Sequence, residues 1–145
     1  MNTRKYVHLS DRIKKLMYRG KEFMIIDHSD SRETEMINNL SLLSDLIKAE
    51  KKPVFVIAIF NARSFVTPPF MRHTELITVE LGPLIENKAL VGLNAPKKMI
   101  LQGQNAKAKT DVKSFNSVEE AIEDLLTQPA LAHSPNAKRL GKQIL

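Results

Sequence analysis

The feature that most constrains this chain is the run at residues 54–60, Val-Phe-Val-Ile-Ala-Ile-Phe, with a polar stretch directly behind it. The run is too short to span a membrane and shows no polar alternation. That is the pattern of a strand buried on both faces. After Phe60 the polarity changes abruptly, to Asn61, Arg63, Ser64 and Thr67. Thr67-Pro68-Pro69 reads as a helix start, with Thr67 as N-cap and Pro68 at the first helical position, where no N–H is needed. A central strand, a polar loop and a helix N-terminus in succession are where an open α/β sheet places its working surface.

The remaining segments fit an alternating pattern around that strand. Residues 4–9 read as a short edge strand, and residues 22–27 as a second, more buried one. Residues 13–18 fit either one helical turn or a bent strand. Asp30 and Glu33 have the spacing of a capping box. Met36, Ile37, Leu40, Leu43 and Ile47 then recur at three and four, one apolar stripe of a helix. Lys51-Lys52-Pro53 ends it. Phe70, Ile77, Leu81 and Leu84 form a second stripe, broken at Gly82-Pro83. A turn at residues 84–87 leads to a strand at 89–93. Asn94-Ala95-Pro96 opens a helix whose apolar contacts are Met99, Ile100 and Leu101, irregular from Gln102 onward because of Gly103 and its polar neighbours. Residues 112–115 read as a last strand, and Ser117 with Glu120 as a second capping box. The expected order is β-β-α-β-α-β-α-β-α: an α/β fold with one mixed sheet and helices packed on it.

A chain of 145 residues suits one domain, expected at residues 1–128. Residues 129–145 read as a loose basic tail with a short helix near Leu140. Without cysteine there is no disulfide framework, thiolate metal site or cysteine nucleophile, and a reducing cytoplasm is expected. No signal peptide or transmembrane run is read. A net charge of +6 weakly favours anionic partners, but no tryptophan is present and no aromatic residue interleaves the basic tail, so nucleic acid is not expected. The dinucleotide glycine fingerprint, the phosphate loop, the nucleophile elbow and the zinc-protease helix motif do not occur, so neither catalysis nor a cofactor or metal is expected.

Several strings resemble the SpoIIAA-like group of STAS and SEC14-like domains, in particular small bacterial single-domain members. They are Gly20-Lys21-Glu22 before an apolar strand ending in Asp27, Lys51-Lys52-Pro53-Val54, Thr67-Pro68-Pro69-Phe70-Met71, Ala89-Leu90-Val91-Gly92-Leu93, Pro96-Lys97-Lys98, and the stretch from Phe115 to Ala121. Together they cover roughly residues 4–127. The resemblance implies a SpoIIAA-like mixed sheet. It also implies a regulatory protein-interaction module like the anti-sigma factor antagonists, in which a serine or threonine at this helix start is phosphorylated by a partner kinase. The corresponding candidates here are Ser64 and Thr67, with Arg63-Ser64 in place of the family's aspartate–serine pair. The expected partner is another protein, a kinase or anti-sigma factor, and homodimerisation stays open. The alternative, by analogy with SEC14-like relatives, is an apolar small molecule or lipid held between sheet and helices, with the six methionines as lining.

The expected contact surface is Asn61, Arg63, Phe65, Val66 and Phe70, helped by Asp27 and His28. Phe65, Val66 and Phe70 read equally as partner anchors or as core beneath the loop. Thr67 reads chiefly as a cap, while Ser64 has no structural role visible in the sequence. Asp27, His28, Ser29 and Asp30 read as ordinary turn residues between strand and helix.

Overall fold

The computed structural model describes residues 5–127. Its strands are β1 (Lys5–His8), β2 (Ile13–Tyr18), β3 (Lys21–Asp27), β4 (Val54–Ile59), β5 (Ile85–Val91) and β6 (Lys113–Phe115). Its helices are α1 (Glu33–Glu50), α2 (Pro68–Leu81), α3 (Ala95–Ala108) and α4 (Val118–Thr127), with a 3-10 turn at Gly82–Leu84. All six strands join one sheet in the order β1-β2-β3-β4-β5-β6. The first three are antiparallel neighbours, and β3 to β6 run parallel. The α/β class and mixed sheet expected from the sequence are formed, with one strand more than the expected order. The extra strand is β2, the segment whose pattern fits two structures. Ile13 faces one core while Leu16 and Tyr18 face the other, so burial on both sides hides the period of two.

The central strand behaves as its composition requires. Val54 and Val56 enter one core, Phe55 and Ile57 the other. On the first side, Met24, Ile26 and Val56 pack against Met36, Leu40 and Ile47 of α1 and Phe70, Ile77 and Leu81 of α2. On the second, Phe23, Ile25 and Ile57 pack against Ala121, Ile122 and Leu125 of α4. Each such side chain contributes about 1.5–3 kcal/mol when fully buried. The strand order from β3 to β6 never reverses. Right-handed crossovers therefore carry successive helices to the same face of the sheet, where α1 and α2 lie. Without a reversal there is no topological switch crevice, and the strand order alone creates no working surface at the carboxyl ends.

Local chemistry sets most helix boundaries. Thr67 Oγ1 accepts from the Phe70 amide at 3.3 Å, and Asn94 Oδ1 from the Lys97 amide at 3.0 Å. Ser117 Oγ accepts from the Glu120 amide at 3.2 Å, while Glu120 Oε1 accepts from the Asn116 amide at 3.1 Å. Lys51 closes α1 in the left-handed conformation, φ 57°. The Asp30–Glu33 capping box does not form. The N-cap of α1 is Arg32, with no side-chain cap. Asp30 instead turns the chain at φ 55° and binds Asn61. α3 is also more regular than its composition implies, running unbroken through Gly103. One helical glycine costs only about 1 kcal/mol. Its buried residue is Leu101, while Met99 and Ile100 are exposed. The basic segment 129–145 and the helix expected near Leu140 lie outside the described residues.

Candidate functional site

The loop that follows β4 is stitched to the loop that follows β3. Asn61 Oδ1 accepts from the Asp30 amide at 3.0 Å, and Asn61 Nδ2 donates to Asp30 Oδ1 at 3.1 Å. The Phe65 amide donates to the Ser31 carbonyl at 3.0 Å. Ser64 sits beneath this seam, 4% exposed. Its hydroxyl donates to the His28 carbonyl at 2.7 Å and accepts from the Asn61 amide at 3.0 Å. Asp27 Oδ1 caps its own turn by accepting from the Ser29 amide at 2.9 Å. The Thr67 hydroxyl donates to the Glu33 carboxylate, which ties the start of α2 to the start of α1.

These contacts give the loop residues structural roles that the sequence did not reveal. Ser64 as a phospho-acceptor is the clearest case, since its hydroxyl is buried and used twice. A phosphoryl donor reaches it only after the seam opens. Ser64→Ala leaves the His28 carbonyl and the Asn61 amide without that partner. It is expected to destabilise the fold by about 2 kcal/mol, read from the shift of the urea midpoint; an unchanged midpoint would show that the seam bears no strain. Of the expected surface residues, Arg63 and Phe65 remain outward. Phe65 is 50% exposed, with the Arg32 guanidinium 5.7 Å from its ring centre.

His28, Val66 and Phe70 belong elsewhere. They turn inward and line a cleft of about 420 Å³ between the sheet, α2 and α3. Its floor includes Val56 and Ala58 of β4 and Leu90 of β5. Thr74 and Thr78 stand on the α2 wall, Leu101 and Gln104 on the α3 wall. The two helices touch across it through Gln104 Nε2, which donates to Glu75 Oε2 at 3.4 Å. At the edge, Val79 and Ile100 line the cleft and are also exposed to solvent, Val79 by 81%. Only Met71 among the described methionines lines the cleft. Met24 and Met36 are packed in the core, and Met17 and Met99 are exposed.

His28 is 1% exposed. Its ring lies 5.1 Å from that of Phe60 and meets Phe70 edge-on at 5.2 Å. Neither ring nitrogen has a hydrogen-bond partner among the described residues. Burial drives its pKa down to about 4; the nearby Arg12 charge adds to this and Asp27 opposes it. The imidazole is therefore neutral at neutral pH and keeps one donor and one acceptor unspent in the cleft wall.

Lys88 is the residue that sequence reasoning missed. β5 starts at Ile85, not after a turn ending at Asn87, and Lys88 pairs with Val56 in register. Its side chain is thereby on the face covered by α1 and α2. Its Nζ donates to Thr78 Oγ1 at 3.1 Å. Burial pushes its pKa down, opposed by the charge of Glu75. The signal lay in the alternation Glu86, Lys88, Leu90, which puts Lys88 on the side of an apolar neighbour.

A separate charged group ties α1 to the far end of the sheet. Lys15 Nζ donates to Glu50 Oε2 at 3.0 Å, and Lys52 pairs with the buried Glu22 at 3.3 Å. The Lys15 hydrogen bond holds the Glu50 carboxyl below its ordinary range, whereas burial raises that of Glu22. No cluster among the described residues could hold a metal ion. No helix there is long and apolar enough to cross a membrane.

No family model matches the chain, and no curated protein matches it. Among solved structures it is similar to an uncharacterized protein from the DUF3478 family, with a SpoIIAA-like fold, from Shewanella loihica PV-4. The identity is 10% and the TM-score 0.46, over 83% of this chain and 90% of that one.

Proposed function

We propose that this domain binds a small apolar molecule in the cleft beneath α2 and α3, and that its role is binding without catalysis. One observation carries the reading: a half-open cleft of about 420 Å³, walled mostly by aliphatic and aromatic side chains and reaching from solvent-exposed Val79 and Ile100 down to the sheet. Ligand pockets span roughly 300–1,000 Å³ and combine apolar walls with a few placed polar groups. His28, Lys88 and Thr78 are such groups.

Native mass spectrometry of freshly purified protein tests this, with Thr74→Trp as the paired variant. Thr74 is half-buried on the cleft wall, so an indole there occupies the space without entering the tight core. The expected result is a bound species on wild type that is lost on denaturation and at least about tenfold depleted on Thr74→Trp. A bare polypeptide mass for wild type, with no uptake of added apolar dye, would overturn the reading.

A regulatory protein contact at residues 61–66 is the second reading, favoured by the exposed ring of Phe65. Exposed aromatic side chains are common interface anchors. Pull-down with wild type and Phe65→Ala separates it from ligand binding, because Phe65 does not line the cleft. Capture of the same partners by both would count against this surface.

A further inference from the structure

The titratable groups lining the cleft are unequal in sign. Among the described residues, Lys88, Lys97 and Lys107 face Glu75 as the single carboxylate, and His28 is neutral. Glu75 is engaged by Gln104 of α3. Lys88 Nζ has one polar partner, the neutral hydroxyl of Thr78, and no carboxylate lies within ion-pair distance of it among the described residues. The Lys88 ammonium is half-buried, and Glu75 acts on it only from beyond ion-pair distance, so its charge is partly desolvated and incompletely compensated. It is stabilised by an anion brought in from outside.

We propose that the cleft takes an apolar carboxylic acid, with its carboxylate on Lys88 Nζ and the Thr78 hydroxyl and its apolar body running over Ala58 and Leu90 toward His28. This rests on the cleft reading given above and adds the head-group class. The register supports the direction. Lys88 is level with Val56, and His28, one residue past the Asp27–Ile59 pair, packs near Phe60, four residue steps along the sheet, or roughly 13 Å. Between these two polar stations the floor is aliphatic. A single amine with one hydroxyl suits the small planar charge of a carboxylate. Among the described residues no arginine lines the cleft to grip a phosphate by two parallel hydrogen bonds.

Titration of the full chain with dodecanoate, dodecanol and dodecyl phosphate, followed by calorimetry, tests the assignment. Wild type is expected to bind dodecanoate about ten to a hundred times more tightly than dodecanol, the range for a charge-assisted hydrogen bond. Lys88→Met is expected to erase that preference while still binding dodecanol. Lys88→Arg is expected to retain it. Equal binding of acid and alcohol by wild type would overturn the head-group assignment and leave the cleft reading standing. A clear preference for dodecyl phosphate would overturn it as well. No binding of any of the three would remove both readings. The wild-type comparison decides the matter even if a Lys88 variant fails to fold.

Discussion

Gly92→Ala is expected to lower the melting temperature by about 10 °C or more, corresponding to a loss of about 4 kcal/mol in a domain of this size. Gly92 follows β5 at φ +83°, in the region that side chains rarely adopt. A Cβ there would stand 2.1 Å from the Phe60 carbonyl oxygen, which is backbone and cannot swing aside. The surrounding ladder is tight. The Phe60 amide donates to the Val91 carbonyl at 2.8 Å and the Gly92 amide to the Phe115 carbonyl at 3.0 Å. Relief of the clash must therefore separate β4 from β5 at their carboxyl ends. Left-handed backbone strain alone would add about 1–2 kcal/mol. Thermal and urea denaturation check this. A loss below about 1 kcal/mol would mean the two strands are not held at that distance. Because the Phe60 ring packs on His28 and lines the cleft, ligand uptake should weaken together with stability.

The second large effect is a pH dependence centred on His28. Its pKa is about 4 in the folded protein against 6.5 for an ordinary histidine, so the unfolded chain binds the proton more readily. The neutral ring therefore contributes stability that is fully present above pH 6.5 and is lost progressively as pH falls toward 4. The full difference is about 3 kcal/mol. His28→Phe removes the titrating group and offers a ring of similar shape to Phe60 and Phe70. The expected outcome is a wild-type stability that drops more steeply than that of His28→Phe between pH 6.5 and 4, with the two curves close above pH 7. Every other group is common to the two proteins and cancels in the difference. Parallel curves across the window would show that the imidazole is charged or solvated in the fold.

The residues that were legible in the sequence are those whose role is local. Thr67, Asn94 and Ser117 satisfy helix amides within three or four positions, and Pro53 and Gly82-Pro83 interrupt helices by their own geometry. The misread ones depend on distant partners. Asp30 has the spacing of a cap, but Asn61, far along the chain, offers it a reciprocal pair of hydrogen bonds. Met99, Ile100 and Leu101 are adjacent apolar residues on α3, so composition cannot choose which one faces inward. The helix is placed by β5 and β6 and selects Leu101. Ser64 looked free because its two partners belong to a turn and to another strand's end.

The α/β class, the doubly buried central strand and the starts of α2, α3 and α4 were legible from the chain alone, because burial pattern and capping act over a few residues. The feature with which it opened, the step from Phe60 to a polar loop, forms a seam between two loops, with Ser64 buried beneath it and Arg63 and Phe65 outward. Where space remains depends on how the layers pack. A strand order without reversal gathers α1 and α2 on one face, and the gap between α2 and α3 over β4 and β5 turns His28 and Lys88 into cleft residues. Their chemistry follows from burial, which is a property of the assembled layers and of no single segment of the chain.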